Sequence, residues 1–154
     1  YAKFNEKDKS NFNDFILYSS PRILIQRIRN LSLKTRIVAT YTENTILCTN
    51  TLRIVTLKHA DVDYKYLLGI LNSKLINYFF QKNFLNKDIY AYQLGQIPII
   101  QADKKTQSNI SQLVTKIEQS ETEKQQSKYQ HQIDKRVYKL YGLNEKEIAI
   151  IEGE

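Results

Sequence analysis

Basic residues crowd into a stretch of the sequence that holds no acidic residue. Between Asp14 and Glu43 there is no Asp or Glu, whereas five cations fall there: Arg22, Arg27, Arg29, Lys34 and Arg36. Clustered guanidinium and ammonium groups raise the local electrostatic potential and can neutralise the phosphates of a polyanion. The stretch therefore favours a nucleic-acid surface, and an ordinary solvated basic face is the alternative.

The charge of the whole sequence is divided in the same way. The formal net charge is +7 over 154 residues. Residues 1–102 have 14 Lys and Arg against 7 Asp and Glu, whereas residues 103–154 have 9 of each. The positive excess thus lies entirely in the first two thirds, and we divide the sequence into a domain of residues 1–102 and a tail of residues 103–154.

Tyrosines accompany the cations, and the sequence has 11 of them. Tyr90 and Tyr92 follow Lys82 and Lys87 in a segment without regular periodicity. Lys and Arg contact phosphates, whereas Arg, Asn and Gln can read base edges. For each tyrosine the alternative is packing in the core with the hydroxyl at the surface.

Motifs for catalysis or cofactor binding do not occur. His59 and His131 have no Cys or second His at metal-ligand spacing, and Cys48 is the only cysteine. The four glycines form no phosphate-binding loop. We therefore expect a non-catalytic sequence without a metal or cofactor of its own.

The first half of the sequence predicts strands, and these must position the cations. Residues 21–30, 35–42 and 51–58 have β-branched apolar residues in a period of two, and residues 45–49 are a shorter candidate. Because the connections are short, the strands should be antiparallel neighbours. The acid-free cations would then lie on the first hairpin.

The apolar period changes from 2 to 3.6 at Asp63, which predicts a helix from Asp63, as its N-cap, to about Lys82. This helix has a broad apolar face and one narrow polar stripe, formed by Lys65, Gly69, Asn72, Ser73, Asn77 and Gln81. Gly69 and Ser73 would admit a neighbouring backbone. We predict that the stripe binds neighbouring backbone rather than bases.

Residues 103–141 have a helical pattern with two apolar patches, separated by the polar run 118–128. One long helix and two joined helices both remain open. Gly142 suits a helix C′ position, and Asn144 with Glu147 resembles a capping box for a last short helix. The predicted fold class is α+β, with a mostly antiparallel sheet, a packed helix at about 63–82 and a helical C-terminal tail.

The order of these pieces resembles a known family. The sequence contains, in this order, "YKYLLGILNSKLINYFF" at 64–80, a basic and aromatic loop, "YQLGQIPII" at 92–100 and a polar helix with "ISQLVTKI". This arrangement is similar to the TaqI-like C-terminal specificity domain. That domain occurs in type IIG restriction–modification enzymes and related adenine-N6 DNA methyltransferases. The closing "IDKRVYKLYGLNEKEIAIIE" at 133–152 resembles the tail of the same enzyme class.

The resemblance implies sequence-specific recognition of double-stranded DNA by residues 1–102, without catalysis. The parent chain would contain a methyltransferase core that binds S-adenosylmethionine and, in some members, a nuclease that uses Mg²⁺. The sequence has no methionine and begins at Tyr1, so we expect a piece of that longer protein. The candidate phosphate and base contacts are Arg27, Arg29, Lys34, Arg36, Lys82, Lys87 and Tyr90.

Two other functions remain open. The type I restriction specificity subunits use a similar domain followed by a long spacer helix, and residues 104–141 would suit that role. The second is a helical protein-docking module, whose contacts would lie in 103–154 and whose basic face would be incidental. No run of about 18 apolar residues and no signal segment occurs, so we expect a cytoplasmic protein without a membrane partner. For a DNA reader, replacing Arg27 and Arg36 by Glu should damage DNA binding and leave folding intact.

Overall fold

The computed structural model describes residues 18–46, 48, 50–58 and 61–153, so His59 lies outside them. Over this part of the chain the fold is α+β, as predicted, with a three-stranded antiparallel sheet followed by six helices. The strands are β1 (Arg22–Gln26), β2 (Ala39–Thr42) and β3 (Leu52–Val55). The helices are α1 (Tyr64–Leu71), α2 (Lys74–Asn83), α3 (Ala91–Leu94), α4 (Lys104–Glu118), α5 (Glu123–Leu140) and α6 (Glu145–Glu152).

Strand β1 lies at the centre of the sheet, in the order β2-β1-β3. Ile23 faces Tyr41 on one side and Val55 on the other, and both Ile23 and Ile25 are fully buried. Each strand is shorter than its predicted segment.

The short strand predicted at 45–49 is wrong for the described residues of that segment, which are irregular; Leu47 and Thr49 lie outside them. The buried Arg22 provides the physical reason. Its guanidinium donates hydrogen bonds to the carbonyls of Asn44 and Ile46, both at 3.0 Å. These carbonyls therefore bind a side chain instead of pairing with a neighbouring strand.

The single helix predicted at about 63–82 is also wrong, since the chain forms α1 and α2 with a break at Asn72 and Ser73. Asp63 caps α1 as expected, accepting a hydrogen bond from the Tyr66 N–H at 2.9 Å. Ser73 has extended backbone geometry, and its hydroxyl accepts from the Ile76 N–H as the N-cap of α2. The polar residues Asn72 and Ser73 thus form the junction between two helices.

Residues 103–141 form two helices, α4 and α5, and Thr122 begins the second by capping it. The two helices pack on each other and on α1. Gly69 lies in this contact, and an added Cβ there would lie 2.6 Å from Cγ2 of Ile110. The close approach predicted at Gly69 is therefore real, although α4 makes it with side chains rather than backbone. One hydrophobic core includes residues from both sides of position 102.

The sequence predicts both the start of the last helix and the end of the helix before it. Asn144 and Glu147 form the capping box of α6, with bonds of 2.8 and 3.0 Å. Gly142 has a φ of 70°, the left-handed conformation that favours glycine after a helix. None of the helices in the described part of the chain combines the length and the apolar character that a membrane crossing needs.

Candidate nucleic-acid interface

The first hairpin and the segment after α2 lie side by side. The Ile89 N–H donates to the Arg27 carbonyl at 2.8 Å, and the Arg29 N–H donates to the Lys87 carbonyl at 3.1 Å. These bonds form an antiparallel bridge between Ile28 and Asp88, just beyond the end of β1. The two groups of candidate residues, far apart in sequence, thus belong to one surface, which we call the 27–29/84–92 surface.

Arg27 and Arg29 are half-buried and partly engaged by the chain itself. The Arg27 guanidinium donates to the Asp88 carboxylate at 3.2 Å and to the Asn50 carbonyl at 3.1 Å. Arg29 donates to the Gln26 side chain at 3.1 Å and to the Thr35 carbonyl at 3.2 Å. Part of each guanidinium's donor capacity therefore fixes the hairpin and its partner segment.

Arg36 lies inside the molecule, with only 1% of its surface exposed. Its guanidinium donates to the Asn86 carbonyl at 2.5 Å, and burial, with a smaller effect from Arg29, lowers the pKa of this group. In this conformation the guanidinium binds the segment after α2 from within and does not reach the surface. The premise that Arg36 is a surface residue is wrong, and we expect Arg36→Glu to destabilise the fold, because it would bury a carboxylate without a cationic partner.

The remaining four candidates, Lys34, Lys82, Lys87 and Tyr90, are exposed. The Lys82 ammonium lies 5.3 Å from the centre of the Tyr78 ring. Tyr90 is 37% exposed and stacks on Tyr92 with ring centres 5.8 Å apart. The Lys34 ammonium lies beside Gly153 at the end of α6, 3.6 Å from where a Cβ would be, so Lys34 faces the tail rather than the tyrosine pair.

Sequence reasoning did not select three residues that lie on or against this surface as candidate contacts, although it noted Tyr92 beside Tyr90. Arg53 on β3 donates to the Ile89 carbonyl at 2.8 Å, and a lone cation within an apolar strand was its only signal. Tyr92 is 60% exposed beside Tyr90. Leu85 is 77% exposed, and nothing in the sequence separates it from a core leucine.

Asn72 and Asn77 of the polar stripe bind neighbouring backbone, as predicted, whereas Lys65 donates to the side chains of Thr115 and Glu118. Asn72 accepts from the Ala39 N–H at 2.9 Å and donates to the Ala39 carbonyl at 3.0 Å. Asn77 accepts from the N–H groups of Arg36 and Ile37 at 2.6 and 2.7 Å. These side chains hold the edge of β2 and the chain leading into it, so the stripe fixes the hairpin that presents Arg27 and Arg29.

Within the described residues, His, Cys, Asp and Glu side chains form no group of three or more that could hold a metal ion. The surface therefore offers hydrogen-bond donors, cations and aromatic rings. Such groups can bind phosphates and stack on or read bases.

Comparison with known proteins gives one family. The model of the TaqI-like C-terminal specificity domain matches residues 1–99 of the chain. The match spans the sheet, α1, α2 and α3, and with them the whole 27–29/84–92 surface. No curated protein and no solved structure matches the chain.

Proposed function

The chain belongs to the TaqI-like C-terminal specificity domain family, and on that premise we propose that it reads double-stranded DNA as the specificity domain of a type II restriction–modification enzyme. Domains of this family give restriction–modification enzymes their DNA-sequence specificity. The observation that supports this function best is the joining of the Arg27–Arg29 and Lys87–Tyr90 segments by backbone hydrogen bonds. One duplex could contact both segments at once.

Catalysis would belong to other regions of a longer parent chain. We propose that the parent is an adenine-specific DNA methyltransferase of the type IIG class that uses S-adenosylmethionine, with or without a Mg²⁺-dependent nuclease. The partners of the present chain would be double-stranded DNA and those catalytic regions, in the cytoplasm. Purifying the parent and measuring methylation of a duplex with and without residues 1–154 would test this division of labour.

The arrangement of the tail supports type II over the two alternatives. A type I specificity subunit would use a continuous spacer helix, whereas residues 104–140 fold into α4 and α5, which pack against each other. A docking module would present an apolar face on the tail. Here the apolar residues of α4 and α5 enter the chain's own core: Ile110, Leu113, Val114, Ile133 and Val137.

Fluorescence anisotropy with a labelled mixed-sequence duplex, titrated at several salt concentrations, tests the proposed surface. We expect binding that weakens steeply with salt, because phosphate contacts release counterions. Replacing Lys87, on this surface, and Lys82, just before it at the end of α2, by Gln should reduce the slope of log Kd against log salt by about 1.8, at about 0.9 per phosphate contact.

The matched control replaces Lys124 and Lys128 by Gln. Both are exposed lysines in the first half of α5, outside the 27–29/84–92 surface. We expect this pair to leave the slope unchanged. Equal effects of the two pairs would show that only the total charge matters and would contradict the assignment of the surface.

A further inference from the structure

Leu85 is the most exposed of the large apolar side chains in the described part of the chain, at 77%. A single exposed leucine is common on protein surfaces and needs no explanation by itself. What distinguishes Leu85 is the way in which its two neighbours in the chain are held.

Phe84, on one side, is anchored to the core. Its ring lies 4.7 Å from that of Phe80 and 6.4 Å from that of Phe79, and its N–H donates to the Phe80 carbonyl at 3.0 Å. Asn86, on the other side, is held by the buried Arg36, whose guanidinium donates to the Asn86 carbonyl at 2.5 Å. Because these contacts hold the backbone before and after Leu85, its side chain is presented to solvent.

Cations stand on both sides of Leu85. Lys82 precedes it by three residues and Lys87 follows it by two, and both are exposed. An exposed apolar side chain with a cation before and after it in the chain is complementary to duplex DNA, where two rows of phosphates border a groove whose floor is formed by stacked bases. A protein partner would more often pair an exposed leucine with an apolar rim.

We propose that Leu85 is an apolar wedge that enters a base step of the bound duplex, while Lys82 and Lys87 contact the flanking phosphates. The inference rests on the proposed DNA recognition and gives it a mechanism. Leucine side chains inserted between base pairs partly unstack and kink the duplex. Because pyrimidine–purine steps unstack most easily, the wedge would favour such a step at one position of the target. Arg36 then acts as a positioning residue for the wedge, without touching DNA.

The test uses the 154-residue chain and 2-aminopurine as a reporter of unstacking. A preferred duplex is first selected from a pool of random sequence, and each of its adenines is then replaced in turn by 2-aminopurine. With the unmodified chain we expect a several-fold rise in fluorescence at one base step. Leu85→Ala should abolish that rise and weaken binding by about tenfold, since one buried leucine is lost from the complex.

Three further measurements separate the wedge from other effects. The slope of log Kd against log salt should not change in Leu85→Ala, because the phosphate contacts remain. Leu85→Met should keep the fluorescence rise, since it is still apolar and of similar size. Ile150→Ala removes another exposed apolar side chain (59%) on α6 and should change neither fluorescence nor affinity.

The outcomes distinguish this inference from the function on which it rests. If the chain binds a preferred duplex and Leu85→Ala gives the same fluorescence and the same Kd, the wedge is overturned and DNA recognition stands. A loss of affinity in Leu85→Ala without any unstacking by the unmodified chain also overturns the wedge, because Leu85 would then contact DNA in another way. Failure of the unmodified chain to bind any duplex would overturn both.

Discussion

Asn77 shows how single polar side chains set the shape of the proposed DNA surface. It is buried in α2, and its amide oxygen is the acceptor for two backbone N–H groups, those of Arg36 and Ile37. A buried backbone donor without an acceptor costs about 1–3 kcal/mol. This one side chain therefore decides whether the segment before β2 can stay against the helices.

We predict that Asn77→Ala lowers the free energy of unfolding by about 2–4 kcal/mol, since it leaves two buried donors without a partner. Urea denaturation followed by circular dichroism measures the change. Asn83→Ala is the control, because Asn83 is exposed and its amide donates only to the Phe79 carbonyl within the same helix. A loss in Asn77→Ala no larger than in the control would show that water replaces the missing acceptor.

Asp134 is a buried carboxyl on α5 that accepts a hydrogen bond from the Lys74 N–H at 2.9 Å, at the start of α2. Burial raises its pKa, and the bonds from Lys74 and Gln130 offset this only in part. A carboxyl with a higher pKa in the folded state makes the folded chain bind protons more tightly. The contribution of Asp134 to stability therefore falls as pH rises from its pKa in the unfolded chain, about 4, through its raised pKa in the folded chain.

We predict that Asp134→Asn removes this pH dependence. The unfolding free energy of the variant, minus that of the unmodified chain, should increase as pH rises above about 4, because only the unmodified chain must ionise a buried carboxyl. Denaturant unfolding of both proteins over a series of pH values measures the difference, in which the other carboxyls cancel. A difference that is independent of pH would show that Asp134 is not perturbed by burial.

Gly69 governs the contact between the family-matched part of the chain and the tail. An added Cβ would lie 2.6 Å from Ile110 and 3.2 Å from Val114, both on α4. Alanine is a better helix former than glycine by about 1 kcal/mol, but crowding in a packed core costs about 1–3 kcal/mol. Crowding should win, because the neighbours are branched side chains already held in the core.

We predict that Gly69→Ala lowers the midpoint of thermal unfolding, because α4 must move away from α1. Gly95→Ala provides the comparison, since a Cβ there meets only backbone oxygens at 3.5 and 3.8 Å, an ordinary contact distance. We expect that variant to change stability by no more than about 0.5 kcal/mol. A Gly69→Ala protein as stable as Gly95→Ala would mean that α4 packs less tightly on α1 than the structure shows.

The periodicity of apolar residues predicted the strands and helices better than the junctions between them. The strands, the caps at Asp63 and Asn144 and the helical tail follow from patterns within a few residues. The break at Ser73 was missed because an apolar period of 3.6 continues across it. The helix cap there depends on a single serine hydroxyl, which leaves no wider pattern in the sequence. The strand predicted at 45–49 fails because Arg22, more than twenty residues away, binds the Ile46 carbonyl within it and the Asn44 carbonyl just before it.

The candidate surface depends on contacts that no local pattern records. The cations were visible as an acid-free run, yet their exposure depends on tertiary neighbours: Arg36 is buried under Asn86, whereas Lys82 and Lys87 are exposed. The pairing of residues 27–29 with 87–89 joins segments about sixty positions apart. Arg53 and Leu85 become candidates only through these contacts.

At the scale of the whole molecule, charge and packing divide the chain differently. The positive excess lies entirely in residues 1–102, and the family match ends at residue 99. The core, however, is shared, because Ile110, Val114 and Ile133 pack against α1. The neutral tail thus packs on α1 and shares the core of the basic part that carries the 27–29/84–92 surface.

The most direct test of the account is the ratio of two dissociation constants, both measured near physiological salt. One is for a duplex selected by the chain from a random pool, and the other is for a shuffled duplex of the same composition. A specificity domain should prefer the selected duplex by a factor of about a thousand or more, because base contacts add to phosphate binding. Equal constants, or no binding to either duplex, would contradict the claim that this chain reads DNA sequence.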